Sequence, residues 1–160
     1  GHVQFGIPVR TEDECAERIY DNPNLLPDIA NYHIHILFLP NVNSTAAAKV
    51  LVNDISLEFL NVPADTTKMC NFSPGDFKPN FQQICQFETR TSPAGPFATG
   101  QGSFFVPTEY IEKISRFAVQ RRRSLDILIH PNSGCTVVDH SHWGYWSGQK
   151  WPLDLGKLIY

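Results

Sequence analysis

The sequence lacks any apolar run approaching the ~20 residues that a membrane-spanning helix requires. Its longest candidate, residues 34–39, has only the length of a β-strand. The sequence also lacks an excess of basic residues, because 13 Lys and Arg stand against 16 Asp and Glu. The resulting net charge of −3 argues against a general nucleic-acid-binding protein. The one basic run, residues 121–123, is expected to end a helix, where the dipole favours cations.

Low-complexity segments are absent as well, and 42% of the residues are apolar. Such a composition is typical of a folded chain rather than a disordered one. A length of 160 residues favours a single domain that buries its own core.

The four cysteines show no C-x-x-C spacing, which argues against a zinc knuckle or a thioredoxin-like motif. An even number of scattered cysteines is typical of two disulfides in an oxidising compartment. Three pairings exist, and we expect Cys70–Cys85, which closes a short loop, and Cys15–Cys135, which ties the N-terminal region to the C-terminal region.

Two N-glycosylation sequons begin at Asn43 and Asn71. Together with the expected disulfides they predict a secreted, extracellular glycoprotein. No signal peptide is visible, so we interpret the sequence as the mature form. The alternative is a cytosolic protein with four free thiols.

The apolar pattern predicts four strands and two helices after an irregular N-terminal arm, residues 1–29, which holds one helical turn around 12–20. Prolines and turn residues separate the elements, and Ser44 is the expected N-cap of the first helix. The tail from Pro131 reads as loop. The predicted strands are 31–39, 81–91, 102–106 and 124–130, and the predicted helices are 45–60 and a segment that starts at 107–108 and ends at the arginines.

The order strand, helix, strand, strand, helix, strand is typical of an α+β ferredoxin-like fold, βαββαβ, with both helices on one face of an antiparallel sheet. In that topology the first and fourth strands are neighbours. Residues from opposite ends of the chain are then expected to meet.

Five of the six histidines lie in those two regions. His33 and His35 are two residues apart on the first strand, so both side chains project from one face and are candidates to bind one metal ion. His130 ends the fourth strand, and His140 and His142 follow it. The alternative is a set of half-buried histidines satisfied by hydrogen bonds.

Aromatic residues surround the same region: Trp143, Tyr145, Trp146 and Trp151 all lie in the tail. They either cover a core or form a ring-stacking wall that suits an aromatic substrate.

Five short motifs together resemble the DOPA 4,5-dioxygenase family over roughly residues 31–155. They are YHIH at 32–35, HPNSG at 130–134, DH at 139–140, WSG at 146–148 and PLDL at 152–155. The resemblance implies a ferredoxin-like domain over residues 30–160, a non-haem metal site and extradiol cleavage of a catechol such as DOPA.

By position, the resemblance assigns His35, His130 and His140 to the metal. Fe(II) is the expected ion, with Zn or Cu as alternatives that imidazoles also suit. His33 or His142 is the expected proton acceptor, Asp139 or Glu88 a candidate carboxylate, and Trp143, Trp146 and Phe97 are the expected substrate contacts. No nucleic acid or membrane partner is expected, and a homo-oligomer is left open.

One position departs from the family pattern. Members commonly carry Gly-Pro-His before the third strand, where this chain has Gly95-Pro96-Phe97. A phenyl ring neither binds a metal nor moves a proton. A catalytically inactive extracellular relative, which binds a metal or small aromatic ligand or serves a structural or interaction role, is therefore the alternative to an enzyme.

Overall fold

The computed structural model describes residues 3–16, 29–72 and 81–158, and the side chain of Val3 is left aside. Its main elements, in chain order, are β1 (Val3–Gln4), β2 (Ile7–Pro8), α1 (Glu12–Ala16), β3 (Asn31–Phe38), α2 (Val42–Leu60), β4 (Cys85–Arg90), β5 (Gly100–Pro107), α3 (Ile111–Arg121), β6 (Asp126–Pro131), α4 (Thr136–Asp139) and β7 (Tyr145–Ser147).

Five of the strands form one antiparallel sheet in the order β4-β5-β3-β6-β7. The order of its first four strands is that of a ferredoxin-like fold, so the predicted α+β architecture is confirmed. β3 and β6 are neighbours, as expected for the first and fourth strands of this topology.

The central strand β3 is buried on both faces. Its even-numbered residues Ile34, Ile36 and Phe38 pack with residues of α2 and α3 in the main core. Because side chains alternate along a strand, His33 and His35 project from the opposite face. That face is covered by residues from the N-terminal arm and the C-terminal tail, which together enclose the histidines.

The tail differs from the predicted loop, because it contains α4 and a fifth sheet strand, β7. Tyr145, Trp146 and Ser147 pair with Ile129, Leu128 and Ile127 of β6. Without β7, an apolar strand would stand at the sheet edge with unpaired backbone groups, which is unfavourable.

The first long helix begins at Val42, three residues earlier than predicted, and its N-cap is Asn41 rather than Ser44. The Asn41 side chain accepts a hydrogen bond from the backbone N–H of Ser44 at 2.8 Å. The basic run ends α3 as expected, since Arg121 lies in its last turn and Arg122 is its C-cap.

Both predicted disulfides are present, Cys15–Cys135 and Cys70–Cys85. The first attaches the N-terminal arm to the segment that follows β6. The arm holds the small hairpin β1–β2 and the helix α1. The rest of its predicted helical turn, residues 17–20, lies outside the described residues. In the described ranges, no helix combines the length and apolarity that crossing a bilayer demands.

Candidate metal centre

The register of β3 and β6 brings three histidines together. His33 lies directly opposite His130 on the neighbouring strand, and His35 is two residues further along the same face. The Nε2 atoms of His35 and His130 are 3.0 Å apart. One ring nitrogen from each of His33, His35 and His130 lies within 4.8 Å of the other two.

Carbonyl oxygens fix which nitrogen of each ring carries a proton. His130 Nδ1 lies 2.9 Å from Pro131 O, and a carbonyl only accepts, so Nδ1 donates and Nε2 keeps its lone pair. His35 Nδ1 faces Gln101 Oε1, so the same reasoning leaves a lone pair on His35 Nε2. Two lone pairs thus face each other across 3.0 Å, which is repulsive unless a proton or a cation lies between them.

His33 completes the group from an apolar environment. The rings of Phe5 and Phe87 contact it at centroid distances of 4.5 and 5.1 Å. Its Nε2 is buried and has no hydrogen-bond partner in the described part of the chain. A buried ring nitrogen without a partner is costly, and ligation of an ion is one way to satisfy it.

Burial keeps these imidazoles neutral. It lowers the pKa of His33 and His130 well below the ordinary value of 6.5, and neighbouring histidines lower both further. Burial, with His140 as the next cause, lowers the pKa of His35 to about 3. A proton between His35 and His130 is therefore disfavoured at neutral pH, whereas neutral imidazoles are the form that binds metal ions.

The spacing of the nitrogens fits an ion. Two nitrogens that each lie about 2.1 Å from a shared ion, at angles of roughly 90–110°, are about 3.0–3.4 Å apart. The 3.0 Å between His35 and His130 falls at the lower end of that range. A donor set of three imidazoles suits Zn, Cu, Fe or Ni and does not select among them.

Neither candidate carboxylate belongs to this group. Glu88 is exposed on β4. Asp139 is buried, but its two oxygens accept hydrogen bonds from the backbone N–H and the hydroxyl of Ser133, at 2.9 and 2.6 Å. Burial raises the Asp139 pKa to about 7, against the effect of those hydrogen bonds. Asp139 thus fixes the loop that follows His130.

A cavity of about 180 Å³ opens onto the histidines. Phe5 from the arm and Phe97 from the loop before β5 belong to its walls, and the Phe97 ring packs on His35 at 4.5 Å. A larger groove, of about 600 Å³, lies beside Cys70–Cys85 and is lined by no histidine. The smaller cavity is therefore the candidate site, because it alone of the two brings ligating groups to a ligand.

His140 lines the same cavity, and its ring centroid is 3.9 Å from that of His130. Its Nδ1 donates to Thr136 O at 2.8 Å, which leaves Nε2 as an acceptor. The mutually close nitrogens nevertheless belong to His33, His35 and His130. The resemblance implies His35, His130 and His140 as the ligand set, and His33 or His142 is the predicted base, so the close group seen here differs in containing His33 and not His140.

Three further predicted residues do not line the cavity. His142 is exposed. Trp143 packs on the small cluster of Cys15, Cys135 and Val138. Trp146 packs, with Trp151, on a second cluster that contains Leu37, Phe97 and Leu128. Within the described residues the tryptophans cover apolar clusters, and only Phe97 of the expected substrate contacts reaches the cavity.

Sequence reasoning missed Phe5, Gln101 and Asn132. Asn132 lines the cavity and donates a hydrogen bond to Asn31 at 2.8 Å. The register of β3 and β5 pairs Gln101 with Leu37, two positions beyond His35, and that pairing is readable only once the strand order is known. No pattern in the sequence places Phe5 near a histidine of β3.

Comparison with known proteins identifies the family. The sequence profile of the Dopa 4,5-dioxygenase family matches residues 32–157. A curated relative, DOPA 4,5-dioxygenase of Amanita muscaria, is 25% identical over 131 residues. That alignment covers 82% of this chain and 50% of the relative, so the chain spans about half the length of this curated protein.

A solved structure from Nostoc punctiforme PCC 73102, provisionally described as a dioxygenase, has the same fold. The two chains superpose with a TM-score of 0.59 at 20% identity, over 81% of this chain and 90% of that one. The matched range contains the three clustered histidines and His140, and the chain belongs to the Dopa 4,5-dioxygenase family.

Proposed function

We propose that this protein is a metal-dependent dioxygenase that opens the ring of a small catechol, such as DOPA, at the cluster formed by His33, His35 and His130. One observation carries the proposal. The Nε2 lone pairs of His35 and His130 face each other across 3.0 Å, in surroundings that disfavour a proton. Family membership adds the reaction class, and the resemblance adds the catechol.

Fe(II) is the proposed ion, with Zn or Cu as alternatives. When bound, it would lower the pKa of the catechol hydroxyls and supply the redox chemistry by which the ring carbon–carbon bond beside the diol is cleaved and both atoms of O₂ enter the opened product. His35 and His130 would hold the ion through Nε2, since hydrogen bonds occupy both Nδ1 atoms. His33 would be the third ligand, through the nitrogen that lacks a partner.

His140 is the proposed proton acceptor. It lines the cavity, is largely buried, and presents Nε2 as an acceptor because Nδ1 donates to Thr136. Burial lowers its pKa, so Nε2 is unprotonated at neutral pH and able to take a proton from a catechol hydroxyl. His142, the other predicted base, is exposed.

The Phe97 ring supplies an apolar wall rather than a second base. It is buried, at 4% exposure, and packs on His35 with a tilt of 39° between the rings. Such a wall excludes water from the histidines and offers a face to an aromatic ligand. The family histidine at this position would add a proton-transfer group that the chain lacks.

We also propose that the protein works outside the cell. The two disulfides support an oxidising compartment, and Asn43 and Asn71 are both exposed. Ser73, the last residue of the second sequon, lies outside the described residues. Expression through a secretory pathway, followed by glycosidase treatment and mass analysis, tests this. Unmodified asparagines and reduced thiols in the native protein would overturn it.

Oxygen uptake tests the catalytic proposal. The protein is loaded anaerobically with Fe(II), mixed with aerated buffer containing catechol or DOPA, and followed by an oxygen electrode and by the absorbance of a yellow ring-opened product. We expect one O₂ consumed per product formed. His140→Ala should lower kcat by roughly 10²–10⁴-fold while metal binding persists, and His142→Ala should leave kcat unchanged.

Metal binding without oxygen uptake would replace this proposal by the alternative, an inactive relative that binds a metal or aromatic ligand. The variant Phe97→His distinguishes the two proposals further, since it restores the histidine that family members commonly carry at that position. Turnover that appears only in Phe97→His would show that the natural chain has lost the reaction.

A further inference from the structure

We propose that residues 3–16, called the strap below, close the histidine cavity and that Phe5 at its tip limits the size of the ring that enters. The closing role stands on the structure of the chain alone. The size limit rests on the function proposed above.

Phe5 is held at the hairpin tip in an unusual backbone conformation. Phe5 and Gly6 have φ angles of 53° and 76°, in the left-handed region that bulky residues rarely adopt. The backbone carbonyl of Phe5 accepts a hydrogen bond from Asn31 Nδ2 at 3.3 Å, and the Phe5 ring meets the His33 ring edge-on at 4.5 Å. The strained turn therefore places a phenyl ring directly over one of the three imidazoles.

The strap is fastened to the segment that follows His130 at two points. Arg10 N–H donates to Gly134 O at 2.9 Å, and Cys15 is bonded to Cys135. The approach is so close that a Cβ on Gly134 would lie 2.2 Å from Pro8 O, and Gly134 also has a φ of 89°. A glycine at this position is thus required by the path of the strap.

The strap lies wholly outside the family match, which begins at residue 32. The match therefore accounts for the histidines but not for the segment that covers them. Phe5 lines the histidine cavity together with Gln4, so the strap supplies part of its wall.

The histidine cavity is small. Its volume of about 180 Å³ is below the roughly 300–1,000 Å³ typical of pockets for drug-sized ligands. A single benzene ring with short substituents suits such a space, whereas a bulky ring substituent does not. Removing the Phe5 ring would enlarge the cavity on the side of His33.

Chemical access to the imidazoles tests the closing role without any metal or substrate. Chelator-treated protein is reacted with diethyl pyrocarbonate, and modification of His33, His35 and His130 is followed by peptide mass mapping. Phe5→Ala and the double variant Cys15→Ser/Cys135→Ser should be modified at least fivefold faster at these residues than the unaltered protein. His142, which is exposed, serves as the internal standard.

The second disulfide provides the matched control. Cys70→Ser/Cys85→Ser also removes one disulfide, but neither of its cysteines belongs to the strap, and the imidazoles of this variant should react within twofold of the unaltered rate. Cooperative unfolding in urea verifies that each variant is folded. Should the cysteine variants fail to fold, Phe5→Ala decides, since it keeps both disulfides. Equal reaction rates in Phe5→Ala and the unaltered protein would overturn the closing role.

Competition between two substrates tests the size limit. We expect the ratio of kcat/KM for 4-tert-butylcatechol to that for catechol to rise at least tenfold in Phe5→Ala. An unchanged ratio would contradict the role of Phe5 in selecting ring size. If no variant turns over either compound, the proposed function fails, while the diethyl pyrocarbonate result still decides whether the strap closes the cavity.

Discussion

Hydrogen bonds at the far nitrogens of His35 and His130 determine what these rings offer to a ligand. Gln101 and Pro131 each present a carbonyl oxygen to Nδ1, which turns both Nε2 lone pairs inward. Partners of this kind orient ligating histidines and raise their basicity. The residues that prepare the centre are therefore distinct from the residues that would bind the ion.

Gln101→Leu should lower metal affinity by roughly 10–100-fold, because His35 loses the partner that fixes its tautomer. Isothermal titration of the chelator-treated protein with the metal ion measures the change. Gln149→Leu, at an exposed position, is the control and should bind as the unaltered protein does. Equal affinities for the two variants would show that Gln101 does not orient His35.

The metal-free protein should lose stability as the pH falls below about 6.5. His33, His35 and His130 have pKa values lowered from 6.5 in the folded state, so the unfolded chain binds more protons below that value, and for His35 this continues down to about 3. Each such group lowers the free energy of unfolding by about 1.4 kcal/mol per pH unit while its folded form stays neutral and its unfolded form is protonated.

Asp139 acts in the opposite direction. Its pKa is raised from 3.8 to about 7, so the folded state binds the extra proton and gains stability as the pH falls between these values. The stabilisation from this one carboxyl offsets the effect of one histidine only. The free energy of unfolding is therefore still expected to fall as the pH falls. Urea unfolding at pH 7, 6 and 5 measures it, and a pH-independent free energy would contradict the burial of neutral imidazoles.

At the scale of single elements, the sequence pattern predicted the helices and strands well and their ends less well. The stripe of apolar residues in α2 identified that helix, yet two good capping residues, Asn41 and Ser44, stand three positions apart. The helix begins with the earlier one, whose side chain reaches the Ser44 N–H. Which of two capping residues is used depends on how the preceding chain enters, and periodicity does not encode that.

Asn41→Ala should therefore lower the free energy of unfolding by about 1 kcal/mol, the usual cost of losing an N-cap. Ser44→Ala is the matched variant and should have a smaller effect, because Asn41 rather than Ser44 supplies the cap. Urea denaturation monitored by circular dichroism compares the two. A larger loss of unfolding free energy in Ser44→Ala than in Asn41→Ala would instead support Ser44 as the N-cap, as the sequence predicted.

The fifth strand, β7, was not predictable from local pattern. Its three residues are too few to show alternation, and it exists because the edge of β6 is available for pairing. The same applies to the β1–β2 hairpin. It has two residues in each strand, and its tip residue Phe5 packs on His33 of β3. Short elements of this kind depend on tertiary packing rather than on propensity.

At the scale of the whole molecule, the site depends on long-range pairing. His35 and His130 are 95 positions apart, and the ferredoxin-like strand order is what makes their strands neighbours. The element order sufficed to predict that proximity. It did not suffice to predict that His33 rather than His140 is the third member of the group, because that depends on where the ring nitrogens lie in the folded chain.

Metal stoichiometry tests the central claim most directly. Chelator-treated protein is dialysed to equilibrium against Fe(II) under anaerobic conditions, and in parallel against Zn(II), and bound metal is measured by mass spectrometry. We predict one ion per chain, lost in each of His33→Ala, His35→Ala and His130→Ala and retained in His142→Ala. No stoichiometric metal in the unaltered protein, or full retention by any of the three single variants, would contradict the account.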